Sequence, residues 1–208
     1  MSKLDLSKSF KQYYAAKNKP EIIEIEKAQF LSIEGKGDPS GKPYADKLQA
    51  LYATAYTIKF MNKALEQDFV VAKLKGLWSF DEEKYKHIGI SESPKQVPRS
   101  EWDYRMMIRM PDFVTQDQVT AAIKKVVEIK QITLASDITL FEMHEGKCVQ
   151  MMHSGPFNTE PETLLIMKTF MDAHGFQRTG QHHEIYLSDF NKTAPEKLKT
   201  ILREPVRL

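Results

Sequence analysis

The sequence contains little cysteine and no long hydrophobic run. Of its 208 residues only one is cysteine, Cys148, which excludes an internal disulfide framework and a metal centre built from several cysteines. The first twenty residues lack the apolar segment of a signal peptide, and no window approaches the roughly 18 uncharged apolar residues of a membrane-spanning helix. We therefore expect a protein of a reducing compartment, the cytoplasm, with no membrane association.

The sequence also lacks an excess of either charge. Lys and Arg together number 30 and Asp and Glu 28, so the net charge is +2. So small a basic balance predicts no binding to nucleic acid or to an anionic membrane surface. Hydrophobic residues make up 41% and charged residues 28%, which is typical of a globular domain and not of a disordered chain. A chain of this length forms one domain or two fused repeats, and we expect a monomer.

Hydrophobic periodicity divides the first half of the chain into helices and strands. A short helix before Pro20 is followed by a strand, a Gly- and Pro-rich turn, a long helix and two strands. A polar loop at 81–100 joins these two strands, and loops of that length often act as lids over binding sites. The predicted helices span 4–17 and 44–67, and the predicted strands span 21–34, 69–80 and 101–110.

The second half follows a similar order. A capping box at Thr115 begins a helix, and two strands then turn at Glu145-Gly146. A second capping box at Thr159 begins a helix that stops at Gly175. The predicted strands of this half span 138–146, 147–155, 183–189 and 198–206.

The two halves therefore share a plan of strand, turn, long helix and two strands, with little residue identity. Each half forms a β-α-β-β unit whose helix covers one sheet face, and two such units leave a groove for a small molecule. We predict an α+β fold of duplicated β-α-β-β units that form two antiparallel sheets with a ligand groove between the repeats. An N-terminal helical extension occupies 1–20 and a single domain 21–208, with repeats at about 21–114 and 138–208 and a linking helix at about 115–130.

Five segments carry a resemblance to a known family. They are KLKGLWSFDEE, EWDYRMMIRMPDFVT, EGKCVQMMHSGPFNTEPETL, HHEIYLSD and PEKLKTILREPVR. These segments resemble the GyrI-like (gyrase-inhibitor-like) small-molecule-binding family, in its stand-alone branch. The resemblance implies a groove at the pseudo-two-fold, where relatives bind bulky aromatic or cationic drugs around a strand glutamate, which is Glu184 here. For some stand-alone members it also implies hydrolysis of the cyclopropane ring of DNA-alkylating natural products, and hence detoxification. We expect no transcription regulator, since no DNA-binding helical module precedes the domain.

Strand alternation makes a separate case for Glu184. Glu184 and Tyr186 share one strand face, and Ile185 and Leu187 share the other. If the aliphatic pair faces the helices, Glu184 and Tyr186 face the groove. A carboxylate there can attract a cationic ligand or act as a general base on water. The alternative is a charge on a strand exposed to solvent.

Three aromatic residues on strands are candidate ligand contacts. Gly76 lies two residues before Trp78, and the missing side chain leaves room beside the indole for a flat aromatic ligand. Trp102 and Tyr104 share a face of the next predicted strand. We predict that all three line the groove, and core packing is the alternative for each.

Three further residues are candidates on weaker grounds. Tyr56 lies beside the apolar stripe of the long helix, where its hydroxyl could hold a water with Glu184, and an ordinary half-buried Tyr is the alternative. His153 and Phe157 lie where a strand leads into a helix N-terminus. We predict that Phe157 closes the groove and His153 donates a hydrogen bond to the ligand, the alternative being a capped turn.

The histidines do not have the spacing of metal ligands. His182 and His183 are adjacent, so they point to opposite faces of a strand. Neither is suitably spaced from His87, His144 or His174. We predict that the protein holds no metal and no cofactor.

Two functions stay open at this stage. A hydrolase would sandwich a planar substrate between aromatic side chains, and Glu184 with Tyr56 would activate the attacking water. A non-catalytic module would sequester or sense a drug, with Glu184 paired to a ligand cation. Haem binding by a similar duplicated fold has only unassigned histidines in its favour.

Overall fold

The computed structural model describes residues 3–89 and 91–208. Residues 1, 2 and 90, which belong to the predicted N-terminal extension and the predicted long loop, lie outside the described residues. The strands are β1 (Glu21–Ile25), β2 (Ala28–Lys36), β3 (Leu74–Ser79), β4 (Asp103–Arg109), β5 (Thr139–Met143), β6 (Gly146–Ser154), β7 (Gln177–Arg178), β8 (His182–Tyr186) and β9 (Lys199–Arg207). The helices are α1 (Leu6–Ser9), α2 (Lys42–Ala64), α3 (Ser93–Gln96), α4 (Gln116–Lys130) and α5 (Glu160–Ala173).

The strands form one antiparallel sheet in the order β1-β6-β9-β8-β3-β4-β2-β5, with β7 beside β9. The α+β class is confirmed. The two halves were expected to form two sheets, and the structure corrects this point because β3 pairs with β8 at the centre. Gly76 lies opposite Glu184 in that pair. The backbone hydrogen bonds of β3 and β8 therefore join the halves directly.

The two edge strands of the sheet each pair with the half of the chain to which they were not assigned. The predicted strand at 21–34 divides into β1, which pairs with β6, and β2, which pairs with β4 and β5. The predicted hairpin around Glu145-Gly146 is wrong, because β5 pairs with β2 while β6 pairs with β1 and β9. The edge strand beside the second half is thus β1, which begins the first half of the chain. The edge strand beside the first half is β5, which begins the second half.

Helices α2 and α5 lie on the same face of the sheet. Tyr44 of α2 and Leu164 of α5 line a common cavity with Glu184 of β8. Ile185 therefore faces away from these helices, so the condition placed on the aliphatic pair is not met, although Glu184 does line the cavity. Ile185 lies opposite Lys75, whose ammonium contacts Tyr14 of the N-terminal segment on the other face of the sheet.

The two predicted capping boxes have different outcomes. At α4 the Thr115 hydroxyl accepts from the Gln118 backbone N–H and the Gln118 side chain accepts from the Thr115 N–H, so this box is confirmed. At α5 the prediction is wrong, because Thr159 has helical torsion angles (φ −100°, ψ −1°) and its hydroxyl bonds the Pro156 carbonyl at 2.8 Å. A capping side chain needs an extended backbone at its own residue.

The N-terminal segment is mostly not helical. The predicted helix at 4–17 shortens to α1, and the backbone beyond it crosses the sheet face opposite α2 and α5. Arg203 donates to the Tyr13 carbonyl at 2.9 Å, and Gln150 donates to the Ala15 carbonyl at 3.0 Å. These carbonyls accept hydrogen bonds from buried donors of the sheet. In a longer helix they would have accepted backbone N–H groups of the helix instead.

Candidate ligand-binding site

A cavity of about 1220 Å³ lies above the central strands β3 and β8, between the N-terminal ends of α2 and α5. This volume is at the upper end of what is usual for a small-molecule site, ~300–1,000 Å³. Both halves of the chain contribute to its walls. The lining side chains include Tyr44, Trp78, Phe80, Trp102, Phe157, Glu160, His182, Glu184, Tyr186 and Phe190.

Aromatic rings form the wall that the first half contributes. Tyr44 lies nearly parallel to Trp78, with ring centroids 6.3 Å apart and planes 23° apart. The Trp102 ring stands edge-on to both Trp78 at 6.3 Å and Phe80 at 5.1 Å. Rings in such contacts hold one another in place and present apolar surface to a ligand.

A second aromatic group comes from the other half. Phe157 stands edge-on to Tyr186 at 6.0 Å and to Phe190 at 6.4 Å. Phe157 is partly exposed (39%), whereas Tyr186 is buried. A planar molecule in the cavity would therefore have aromatic surface on two sides.

Trp78 and Tyr186 are joined by a hydrogen bond at the floor of the cavity. The indole Nε1 donates to the Tyr186 hydroxyl at 3.0 Å. A Cβ on Gly76 would lie 2.7 Å from this nitrogen and 3.1 Å from the hydroxyl oxygen. The space beside Gly76 thus holds the hydrogen-bonded pair, and the expectation that it is kept free for a ligand is wrong. Burial, and then the charge of Glu184, raise the pKa of Tyr186 well above its ordinary value.

Charged side chains on β7, β8 and β9 form a series of ion pairs that begins at the cavity floor with Glu184 and His182. His182 Nε2 lies 3.4 Å from Glu184 Oε1, and His182 Nδ1 donates to Glu204 Oε1 at 2.5 Å. Glu204 Oε2 accepts from Arg178 Nε at 2.8 Å. Burial alone would lower the pKa of His182, but Glu204 and Glu184 outweigh it and raise this pKa to about 10. His182 is consequently a cation at neutral pH and holds Glu184 in place.

The carboxyl of Glu160 also belongs to this site. Glu160 lies in the first turn of α5, is 7% exposed, and its Oε1 has no hydrogen-bond partner among the described residues. Burial, and then the charge of Glu184, raise the pKa of Glu160 well above its usual range, although His182 opposes this effect. Sequence reasoning missed Glu160 because an acidic residue in a first helical turn is usually a solvated partner of the helix dipole.

Tyr56 is not part of the cavity, and the prediction that it acts with Glu184 is corrected. Its side chain is 45% exposed and its ring lies against Phe60. The residue of α2 that reaches the cavity is Tyr44. Twelve residues separate the two, which corresponds to about 18 Å along the helix axis and about 120° around it.

Tyr104 and His153 are also corrected, because both are buried away from the cavity lining. Tyr104 packs edge-on against Tyr44 at 5.1 Å and fills the space beside Gly35, where a Cβ would lie 2.4 Å from its ring. His153 bonds the Thr163 hydroxyl at 2.9 Å and the Pro156 carbonyl at 3.2 Å. Tyr104 packs behind the aromatic wall of the cavity, and His153 stabilises the turn before α5.

Five of the predicted site residues lie together in the cavity. They are Trp78, Trp102, Phe157, Glu184 and Tyr186. Within residues 3–89 and 91–208, no three His, Cys, Asp or Glu side chains converge so that they could hold a metal ion. In the same described part of the chain, no helix has the length and apolar character needed to span a membrane.

Comparison with known proteins assigns the chain to a family. The model of the GyrI-like small-molecule-binding domain matches residues 18–207. An uncharacterized conserved protein from Listeria innocua is 41% identical, with a TM-score of 0.88, over 99% of this chain and 100% of its own. A hydrolase from Listeria innocua is 40% identical, with a TM-score of 0.84 and the same coverage. The C-terminal domain of EcmrR shares only the fold, with 11% identity and a TM-score of 0.58 over 91% of this chain and 97% of its own. No curated protein matches the chain. With a family match that spans nearly all of its length and a cavity between its two halves, the chain belongs to the GyrI-like small-molecule-binding domain family.

Proposed function

We propose that the protein detoxifies planar aromatic electrophiles by adding water to a strained ring, such as the cyclopropane of a DNA-alkylating natural product. The observation that carries this proposal is the position of Glu184, which is 9% exposed at the floor of an aromatic-walled cavity. Ring strain supplies the driving force, so the site needs to position the ring and to activate one water. A relative 40% identical to this chain is described as a hydrolase.

Each half of the cavity has a distinct task in this proposal. The rings of Tyr44, Trp78 and Trp102 hold the planar part of the substrate. Glu184 accepts a proton from the water that attacks the ring, and the His182 cation beside it keeps the carboxylate oriented. A cytoplasmic location and a monomeric state fit a soluble detoxifying domain and belong to the proposal.

A second candidate function is sequestration or sensing of a cationic drug without turnover. It is favoured by a carboxylate next to electron-rich rings, an arrangement that attracts cations. In that case the ligand cation forms an ion pair with Glu184 and competes with His182 for this carboxylate. Glu184→Gln would then weaken a cationic ligand far more than a neutral one of similar shape.

The test is a time course with an aromatic cyclopropane-bearing alkylator, followed by mass spectrometry. The hydrolase proposal predicts catalytic formation of a product heavier by one water. Glu184→Gln is expected to lower the single-turnover rate by roughly 10²–10⁴-fold while the affinity is retained. Glu142→Gln is the matched control, because this strand carboxylate is exposed on β5 outside the cavity. An unchanged rate in Glu184→Gln overturns the assignment of the base, and binding without turnover selects the sequestering module.

A further inference from the structure

The cavity contains a second carboxyl that the proposed function leaves unused. Glu160 is buried, lines the cavity, and has an oxygen without a partner among the residues that the structure describes. Buried polar atoms in folded proteins nearly always have a hydrogen-bond partner, so an exception requires an explanation. Its place in the cavity lining points to a partner on the bound molecule.

The surroundings of Glu160 determine its protonation state. Strand β8 brings Glu184, His182 and Tyr186 towards it, and α2 contributes Tyr44. The positive end of α5 and the His182 cation favour a carboxylate at Glu160, whereas burial and the negative charge of Glu184 favour the neutral acid. Burial and Glu184 prevail, so the pKa of Glu160 is raised. The other charged side chains in the cavity lining are Glu82, Lys95, Arg99, Arg178 and Arg207.

We propose that Glu160 is the proton donor of the cavity: its carboxyl O–H donates to an oxygen of the bound molecule, while Glu184 accepts a proton from water. This inference rests on the proposed function and narrows its substrate class. The substrate is an aromatic molecule in which the cyclopropane is conjugated to a carbonyl oxygen. A carboxyl that donates a proton and a second carboxyl that accepts one are typical of acid–base pairs in hydrolases.

The ring-opening step balances with water as the only co-reactant. The water oxygen forms a bond to a ring carbon, and the water gives up a proton to Glu184. The carbon–carbon bond of the ring breaks, and its electron pair moves through the conjugated system onto the carbonyl oxygen. That oxygen takes the proton of Glu160, so the product carries a hydroxyl where the substrate carried a carbonyl. Glu160 leaves the step as the carboxylate and Glu184 as the acid, and exchange with solvent restores both.

Two substitutions separate hydrogen bonding from proton transfer at this position. Glu160→Gln keeps an N–H donor, but an amide cannot give up its proton to the substrate. Glu160→Leu removes the hydrogen-bond donor at similar side-chain volume. We expect both to lower kcat by roughly 10²–10⁴-fold and to abolish the fall of kcat at high pH that deprotonation of Glu160 causes in the wild type. KM should change little in Glu160→Gln, which keeps a donor, and should rise about tenfold in Glu160→Leu, which loses it. Glu162→Gln is the matched control, because Glu162 is exposed in the same helical turn. Retention of rate and of the alkaline limb in Glu160→Gln overturns the proposal.

A binding experiment tests the donor without any turnover. Fluorenone and fluorene have nearly the same planar shape, and only fluorenone has a carbonyl oxygen. We expect the affinity for fluorenone divided by that for fluorene to be the same in the wild type and in Glu160→Gln. In Glu160→Leu this ratio should be about tenfold lower, because one neutral hydrogen bond to the carbonyl oxygen is lost. The infrared band of a protonated carboxyl is expected in the wild type and not in Glu160→Leu.

The two experiments distinguish failure of the inference from failure of the proposed function. If the wild type turns over no cyclopropane but keeps the carbonyl preference and the infrared band, hydrolysis is wrong and the donor stands as a specificity determinant. If the wild type hydrolyses the ring while Glu160→Leu keeps the wild-type affinity ratio and rate, the donor is wrong and hydrolysis stands. Absence of the protonated band in the wild type also overturns the donor.

Discussion

Replacement of Gly76 by alanine tests the contact that fixes the cavity floor. The new Cβ would lie 2.7 Å from Trp78 Nε1, 3.1 Å from Tyr186 Oη and 3.2 Å from Met106 Sδ. The first distance is far shorter than the ~3.5–4.0 Å of an ordinary van der Waals contact. The indole therefore has to move, and because the Tyr186 hydroxyl lies 3.1 Å from the same Cβ, we expect this movement to disrupt the hydrogen bond of 3.0 Å between them.

The size of the effect follows from these two contributions. Overpacking of a well-filled core costs about 1–3 kcal/mol. The loss of one buried hydrogen bond adds about 1 kcal/mol. We expect Gly76→Ala to lower the free energy of unfolding by roughly 2–4 kcal/mol, which corresponds to a fall in Tm of about 4–16 °C for a chain of this length. Ligand affinity should fall as well, because Trp78 lines the cavity.

The assay is urea unfolding followed by tryptophan fluorescence, together with titration of a planar aromatic ligand. Gly89→Ala is the control, since its Cβ would meet nothing closer than Glu92 Oε2 at 3.9 Å. A double-mutant cycle with Tyr186→Phe sharpens the result, because the alanine should cost less once the hydroxyl is gone. If Gly76→Ala unfolds like the wild type, or if the two substitutions are additive, the account of the cavity floor is refuted.

Three further predictions concern stability. The pKa of His182 is raised to about 10, so its contribution is fully present below about pH 6.5 and is lost as the pH rises towards 10. Unfolding at several pH values should show that His182→Gln costs most near pH 6 and least near pH 10, while the exposed His87→Gln has little effect throughout. Thr115→Ala should lower the free energy of unfolding by about 1 kcal/mol, because the cap of α4 is lost. Burial lowers the pKa of Lys75, so Lys75→Met should stabilise the protein in urea unfolding at pH 7, and the gain should vanish above about pH 10.4.

Strand positions could be predicted well because their alternation is a local property. The face shared by Glu184 and Tyr186 follows from the period of two, and the structure places both in the cavity lining. Which side of the sheet the helices cover is not local. The pairing of β3 with β8 and the path of the N-terminal segment decide it, and neither leaves a periodic signal in the sequence.

Helix ends show the same division between local and tertiary control. The cap of α4 needs only Thr115 and Gln118, which are neighbours in the chain, and it forms as expected. The cap predicted at Thr159 fails because Phe157–Thr159 is already a short helical turn, held by the bonds of Pro156 to Thr159 and His153. A residue in that turn cannot take the extended backbone that a capping side chain requires.

Two residues of the site, Tyr44 and Glu160, could not be predicted from the sequence, because their place in the cavity depends on tertiary packing. In the sequence Tyr44 recurs at helical spacing with Leu48 and Leu51, and nothing in that spacing distinguishes a buried Tyr at a cavity edge from one in a core. Glu160 had the sequence pattern of a solvated first-turn acid. Its burial becomes visible only when α5 is placed over β8, where Glu184 and His182 lie beneath it.

The strand order of this domain is symmetric about the β3–β8 pair, but its cavity is chemically asymmetric. Both halves contribute a helix and aromatic rings, yet the buried acids that line the cavity, Glu160 and Glu184, come from the second half. Under the function that we propose, a ligand with one apolar planar end and one carbonyl end therefore binds productively in one orientation only. In the reversed orientation the carbonyl oxygen would lie away from the Glu160 carboxyl, and its desolvation without that donor would be costly. Under this proposal both halves of the fold provide the volume of the cavity, and the acids of the second half determine which end of the ligand meets water.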